Sequence, residues 1–222
     1  MKDRERRSFL YAVMGAGAAA ALGRPRDAGA QAEAKPDLLH LPPGLPVPTD
    51  DGACRHLPGL PLPRIALRST KGRLVDLSAP STSRIVVYCY PRTGRPNEPL
   101  FAGWDLIPGA RGCTPETCAF RDHHQDLQKR GAEVFGFSTQ TTEYQQEMVT
   151  RLHVPFEVLS DVDLAFVHAL RLPTFDIAGL TLVKRLTLVI SGGHIEKVFY
   201  PVFPPDQHAA EVLAWLTRRG PS

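Results

Sequence analysis

Two short apolar segments separated by a helix-forming stretch limit the possible folds of this chain more than any other feature. Residues 84–90 and 134–138 are rich in β-branched and aromatic side chains, which predicts two buried strands. Between them, Thr114 and Pro115 predict the start of a helix, and Gly131 predicts its end. A strand, a helix and a second strand in this order predict a βαβ unit with parallel strands.

Two further helices are predicted after this unit. Residues 142–145 have a capping-box pattern, which predicts a helix that runs to about His153. Ser160 and Asp161 predict the start of another helix, which ends before Pro173. Strands that alternate with helices are typical of an α/β fold.

The C-terminal part predicts a strand hairpin and one last helix. Residues 184–190 and 195–200 have the composition of strands, and Gly192-Gly193 between them suits a tight turn. Asp206 is expected to open a closing helix that carries Leu213, Trp215 and Leu216. We therefore predict an α/β fold with a mixed central sheet flanked by helices.

Length and charge exclude several classes of protein. The chain has 222 residues, and 43% of them are hydrophobic, enough for one domain with a real core. The formal net charge of +3 belongs entirely to residues 1–30, so the remainder is electrically balanced. A balanced surface offers no electrostatic footprint for a phosphate backbone, and nucleic acid is not expected as a partner.

Residues 1–30 have the architecture of a signal peptide. A positively charged start precedes an uncharged, alanine-rich stretch, and residues 28–30 offer small side chains for cleavage. Arg6 and Arg7 resemble a twin-arginine export signal, which predicts a periplasmic or otherwise exported protein. The apolar stretch is too short for stable membrane insertion. The alternative is a disordered basic tail on a cytoplasmic protein.

A proline-rich segment separates this leader from the predicted domain. Eight of the 21 prolines lie within residues 36–63, a density that prevents a continuous helix. We therefore predict an extended arm over residues 31–63 and a single domain over residues 64–222.

The strongest chemical signal is a cysteine placed at the start of a helix. Cys113 follows a strand and a loop, where unpaired amides and the helix dipole stabilise a thiolate. Arg111 beside it is expected to lower the thiol pKa further, as are Arg92, Arg95 and Arg185 if the fold brings them close. The alternative for these arginines is a solvated surface.

A second thiol, Cys118, lies five residues further along the same predicted helix. Five residues of regular helix rise by about 7.5 Å, more than a disulfide spans, so a bridge to Cys113 requires local unwinding. Oxidation of one thiol followed by its resolution with the second is a coherent redox cycle. The alternatives are a static structural disulfide and a metal site formed with His123 and His124.

These residues resemble those of the peroxiredoxins, within them the peroxiredoxin Q or bacterioferritin-comigratory-protein class. The resemblance covers roughly residues 62–216 and rests on Tyr90-Pro91, Gly112-Cys113-Thr114-x-Glu116-x-Cys118, Phe120-Arg121-Asp122 and Arg185. It implies a thioredoxin-like fold. It also implies that Cys113 is the peroxidatic cysteine, Cys118 the resolving cysteine and Arg185 the arginine that binds and polarises the peroxide. We expect Thr114, Glu116 and Arg111 to line the substrate site.

The resemblance further implies a thiol peroxidase that reduces hydrogen peroxide or organic hydroperoxides. Its partner is expected to be a thioredoxin-like dithiol reductant, with no cofactor and no metal, in a monomer or homodimer. One alternative is a thiol-disulfide oxidoreductase on the same fold. The other is a redox-inert interaction module that has kept the fold.

Two features depart from the family pattern. Ala110 stands where the family places a threonine three residues before the peroxidatic cysteine. Residues 94–107 resemble an insertion, in which Trp104 is expected to pack. The hydroxyl of Thr93 or of Thr114 is a candidate to replace the missing one.

Overall fold

Seven strands form one mixed sheet at the centre of the part of the chain that the structure describes. A computed structural model describes residues 37–219, and the predicted leader lies outside them. The strands of the sheet lie in the order β2-β1-β5-β4-β3-β8-β9, and β6 and β7 form a separate hairpin. Their bounds are β1 Ala66–Ser69, β2 Leu74–Asp76, β3 Arg84–Cys89, β4 Ala132–Ser138, β5 Glu157–Ser160, β6 Thr174–Ile177, β7 Leu180–Val183, β8 Leu186–Ser191 and β9 His194–Phe199.

The predicted βαβ unit forms the middle of this sheet. Strand β3 pairs in parallel with β4, from Arg84 opposite Ala132 to Cys89 opposite Phe137. On its other side β3 pairs antiparallel with β8, which places Cys89 opposite Leu186. All six residues of β3 are buried, as expected for a strand covered on both faces. The predicted α/β fold with a mixed sheet is confirmed.

Within residues 37–219, five α-helices flank the sheet. They are α1 Cys113–Asp122, α2 His124–Lys129, α3 Thr142–Leu152, α4 Ala165–Leu170 and α5 His208–Arg219. Side chains of α1, α2, α3 and α5 share one apolar cluster on one face of the sheet. Helix α4 packs into the cluster on the opposite face. None of the helices within residues 37–219 is long and apolar enough to cross a membrane.

The helix predicted between β3 and β4 is in fact two helices, and it begins earlier than expected. The residue before α1 is Gly112, which has a left-handed φ of 101°, so Thr114 lies inside the helix and does not cap it. A Cβ atom at Gly112 would meet the side chain of Pro205 and would lie 2.8 Å from Leu41. The chain breaks again at His123, where α1 ends and α2 begins.

Local hydrogen bonds correct two predicted helix starts. Helix α3 is capped one residue earlier than predicted, by Thr141, whose hydroxyl accepts a hydrogen bond from the Tyr144 N–H at 3.4 Å. Helix α4 does not begin at Ser160 and Asp161, because Glu157–Ser160 pairs with β4 as strand β5.

The C-terminal hairpin and helix follow the prediction closely. Strands β8 and β9 are joined by Gly192-Gly193, and both glycines have positive φ. Helix α5 begins at His208, two residues after Asp206, because Pro205–Gln207 forms a 3-10 turn first.

The proline-rich segment packs against the domain over the residues that the structure describes. Cys54 and Leu57 are buried in the cluster on the α4 face of the sheet. The Leu62 N–H donates to the Gly193 carbonyl at 2.9 Å, next to the β8–β9 turn. Lys184 pairs with Asp51 at 2.9 Å. The segment is therefore part of the packed structure.

Candidate active site

Cys113 is the first residue of α1 and is only 3% exposed. Three groups surround its sulfur. The Arg185 Nη2 donates to Sγ at 3.1 Å, and the backbone N–H of Arg92 donates to it from the loop after β3. The thiol in turn donates to the Ala110 carbonyl at 3.6 Å. The thiol thus lies in a closed polar cradle at the end of the central strand.

The antiparallel pairing of β3 and β8 explains why Arg185 reaches this sulfur. Leu186 lies opposite Cys89 at the end of β3, so the residue before it faces the loop that leads to Cys113. Arg185 is 3% exposed, which excludes a surface charge. Its guanidinium also donates to three carbonyls of the loop before α1, those of Gly109 at 3.2 Å, Ala110 at 3.3 Å and Arg111 at 3.1 Å. Arg185 therefore fixes the loop as well as contacting the thiol.

Glu116 shares this cation with Cys113. It lies in the first turn of α1, is fully buried, and forms an ion pair with the Arg185 Nη1 through its Oε2. Its other oxygen, Oε1, has no hydrogen-bond partner among the described residues. One buried guanidinium thus faces two acids.

Burial raises the pKa of the Cys113 thiol, and the charge of Arg185 opposes that effect. The Glu116 carboxylate raises this pKa further, while the hydrogen bonds from Arg92 N–H and Arg185 lower it. The net direction is upward, so the expected net lowering of the pKa is wrong. Burial also raises the pKa of Glu116, and the charges of Arg185 and His208 oppose it.

Cys118 lies on the same helix as Cys113 but is half-buried. Both are free thiols, and regular helix between them sets their backbones about 7.5 Å apart along the axis. Burial raises the pKa of Cys118, and the charge of Arg121 opposes it. No group of three or more His, Cys, Asp or Glu side chains within residues 37–219 is placed to hold a metal ion.

The remaining arginines of the sequence prediction lie in different places. The Arg111 carbonyl faces Arg185, whereas its guanidinium donates to the Asp37 carbonyl at 2.6 Å and lies 3.4 Å from Asp105. Arg92 and Arg95 both stack on the ring of Tyr144.

The two candidate hydroxyls are both buried. Thr114 lies inside α1 at 3% exposure. The Thr93 hydroxyl donates to the Gln140 Oε1 at 3.2 Å, and the Thr93 N–H donates to the same oxygen at 3.0 Å. Gln140 therefore holds the loop that carries Arg92.

Sequence reasoning missed Gln140 and the backbone N–H of Arg92. Gln140 follows β4, whose carboxyl end lies beside that of β3, and this position in a parallel pair was the available signal. It also missed His208, at the start of α5, whose Nε2 lies 2.8 Å from the Thr187 hydroxyl and whose Nδ1 lies 3.0 Å from Glu211.

Comparison with models of protein families identifies the family of this chain. The model of the Redoxin family matches residues 57–213, which include the whole cradle around Cys113. The chain belongs to the Redoxin family. Its fold is the thioredoxin-like redoxin fold, as the sequence resemblance implies.

Among redoxins, this chain is similar to peroxiredoxin Q. It is 32% identical to the chloroplastic peroxiredoxin Q of Sedum lineare over 155 residues, 69% of this chain and 74% of that protein. It is also 32% identical to the peroxiredoxin Q of Oryza sativa subsp. japonica over 159 residues, 71% of this chain. The matched part spans 65% of the length of the rice protein.

One solved structure has a similar fold. The peroxidoxin BcpB of Mycobacterium tuberculosis matches with a TM-score of 0.59 and 25% sequence identity. The match covers 73% of this chain and 98% of that one.

Proposed function

We propose that this redoxin is a thiol peroxidase that reduces hydrogen peroxide or organic hydroperoxides with Cys113 as the nucleophile. The observation that carries the proposal is the 3.1 Å contact between the Arg185 Nη2 and the Cys113 Sγ in a buried cradle. A fixed guanidinium stabilises the thiolate and can donate to a peroxide oxygen. The similarity to peroxiredoxin Q proteins supports the same chemistry.

In the proposed reaction, Cys113 loses its proton and the thiolate attacks the terminal oxygen of the hydroperoxide. The S–O bond forms as the O–O bond breaks, and the bonding pair leaves with the second oxygen. That oxygen takes up one proton and departs as an alcohol, or as water when the substrate is hydrogen peroxide. Cys113 becomes a sulfenic acid.

Arg185 and the Arg92 N–H are the groups proposed to stabilise this step. Both already donate to the sulfur, and donors fixed before the reaction need no rearrangement as charge moves toward the leaving oxygen. Thr114 and Glu116 are proposed to line the substrate site, Glu116 through its ion pair with Arg185. Arg111 contacts Arg185 through its backbone carbonyl, whereas its guanidinium donates to the Asp37 carbonyl.

Cys118 is proposed to resolve the sulfenic acid. Its thiol condenses with the Cys113 sulfenic acid to give a disulfide and water, after the first turns of α1 unwind. A thioredoxin-like dithiol would then reduce the disulfide and become oxidised itself. The monomer or homodimer expected from the resemblance would complete this cycle without a metal or cofactor.

The burial of Cys113 favours a peroxidase over a thiol-disulfide oxidoreductase. An exposed fraction of 3% leaves little room for a protein disulfide to approach Sγ, whereas a hydroperoxide is small. Consumption of peroxide in proportion to dithiol distinguishes the two activities.

The test is peroxide consumption by the purified protein with dithiothreitol as the reductant. Cys113→Ser should abolish it, whereas Cys118→Ser, treated with peroxide after dithiothreitol has been removed, should still allow one oxidation per chain, trapped by a dimedone-type reagent. Cys54→Ser removes a buried thiol outside the site and is the control. Equal loss of the first oxidation step in the Cys113 and Cys118 variants would contradict these roles.

A further inference from the structure

The insertion predicted at residues 94–107 builds a cavity beside the loop that carries Cys113. The cavity has a volume of about 210 Å³. Its walls include three aromatic rings, two guanidinium groups and one carboxylate, which belong to Phe101, Trp104, Tyr144, Arg92, Arg95 and Glu98. A cavity of ~150 Å³ already holds benzene in another protein, so this one is large enough for a substituted ring.

The cavity adjoins two backbone groups that contact the Cys113 sulfur. Arg92, which lines it, donates its backbone N–H to Sγ. Ala110, whose carbonyl accepts from the thiol, packs in one apolar cluster with Trp104 and Leu182. A molecule in the cavity would therefore contact Arg92, whose backbone N–H donates to the Cys113 sulfur, and Trp104, which packs in one cluster with Ala110.

The cavity wall carries two guanidinium groups and one carboxylate, which leaves an excess of positive charge. Arg95 forms an ion pair with Glu98 at 3.1 Å, and the Tyr144 hydroxyl donates to the same carboxylate at 3.0 Å. The Arg92 guanidinium lies 4.4 Å from the centre of the Tyr144 ring and 5.0 Å from that of Phe101. Against the effect of burial, its charge, together with that of Arg95, lowers the pKa of Glu98, the carboxylate that lines the same cavity. Because the ion pair of Glu98 is with Arg95, the Arg92 guanidinium is the cation offered to an anionic ligand.

We propose that this cavity binds the organic part of a hydroperoxide substrate, an aromatic ring that carries a carboxylate. The rings of Phe101, Trp104 and Tyr144 provide stacking surfaces, and the Arg92 guanidinium matches a carboxylate with paired hydrogen bonds. The inference rests on the proposed peroxidase function, because the hydroperoxide group must reach Cys113. The insertion then acts as a specificity element.

Ligand binding tests the cavity without any turnover. Trp104 and Trp215 are the two tryptophans of the chain, so a Trp215→Phe protein reports on Trp104 alone by fluorescence. We expect benzoate to bind about tenfold more tightly than benzyl alcohol, which has the same ring without the charge. Absence of benzoate binding, or equal affinity for both, would overturn the proposal.

A substitution at Arg92 identifies the cation. Arg92→Gln in the same protein should remove the preference for benzoate, while Arg130→Gln, at an exposed helix end, should keep it. A preference that survives Arg92→Gln would also overturn the proposal. The comparison of the two ligands in the parent protein stands even if the Arg92 variant fails to fold.

Kinetics then connect the cavity to the reaction. Cumene hydroperoxide and its para-carboxylate derivative should differ in kcat/KM, the carboxylate being about tenfold faster, and Arg92→Gln should bring the ratio close to one. A ratio of one in the parent protein would refute the substrate class. If no hydroperoxide is consumed at all, hydrogen peroxide included, the proposed peroxidase function fails and the fluorescence titration alone decides the cavity.

Discussion

The Arg185 guanidinium donates to the Cys113 sulfur with one nitrogen and pairs with the Glu116 carboxylate through another. Because one guanidinium contacts both groups, a stronger interaction with the Glu116 carboxylate weakens its stabilisation of the Cys113 thiolate. Ionisation of the thiol is therefore linked to the protonation state of Glu116 as well as to pH. This competition gives the first two predictions.

Arg185→Ala should raise the pKa of Cys113 and slow peroxide attack about a hundredfold, because the cation that stabilises the thiolate is lost. The pH dependence of Cys113 alkylation and stopped-flow peroxide kinetics measure the two effects. Arg130→Ala is the control. The fold should survive, but the free energy of unfolding should fall by about 3 kcal/mol, because Glu116 is left buried without its partner. An unchanged pKa together with an unchanged rate would remove Arg185 from the mechanism.

Glu116→Gln should lower the pKa of Cys113, the opposite direction. The carboxylate raises that pKa, and its removal leaves the charge of Arg185 to the sulfur alone. Because the thiolate is the form that is alkylated, the pH profile of alkylation should move to lower pH. A profile that moves to higher pH would show that Glu116 acts mainly by holding Arg185 in place.

Oxidation should unwind the start of α1. A disulfide between Cys113 and Cys118 cannot form across a regular helix, so amides of residues 113–118 should exchange hydrogen faster in the oxidised protein. Cys118→Ser, treated with the same peroxide, should keep the reduced pattern of exchange. If these amides exchange at the same rate in the disulfide-bonded wild-type protein as in the reduced protein, the proposed unwinding is wrong.

Asp161→Ala should destabilise the fold by about 1–2 kcal/mol. The carboxylate is buried and accepts from the N–H groups of Phe166 at 3.1 Å and Val167 at 2.8 Å, which satisfies the first turn of α4. Asp163→Ala, two residues away and exposed, is the matched control. Urea unfolding measures the stability of the two variants. Equal midpoints would exclude a stabilising role for the hydrogen bonds that Asp161 accepts from α4.

The leader remains a prediction from the sequence. We propose that the native protein is exported and begins near Gln31, which sequencing of its amino terminus would establish. Changing both Arg6 and Arg7 to Lys should block export if the twin-arginine interpretation is right. Recovery of an intact Met1 from the cytoplasm would refute it.

Strong local patterns predicted the centre of the fold. The apolar run of β3 and the glycine turn between β8 and β9 define their own elements, and the pairing of β8 beside β3 places Arg185 near Cys113. Strands β1, β2, β5, β6 and β7 were not predicted. Each has three or four residues, and their partners are chosen by tertiary packing that a short pattern does not encode.

The electrostatics of the site were harder to predict than its residues. A sequence shows which charges are near Cys113 in the chain, but not that the thiol is buried, and burial reverses the direction of its pKa. In the same way, the sequence identified Arg111 as a neighbour of Cys113. It did not show that Arg111 contacts Arg185 through its backbone carbonyl and turns its guanidinium elsewhere.

The packing of the proline-rich segment means that the limits of sequence similarity are not the limits of the folded unit. The family match begins at residue 57, yet Cys54 fills part of the core and Asp51 bonds to Lys184 and Tyr200. Leu41 packs against Gly112, the residue before Cys113. A protein trimmed to residues 57–213 would therefore lose part of its apolar core and the leucine that packs against the residue before Cys113.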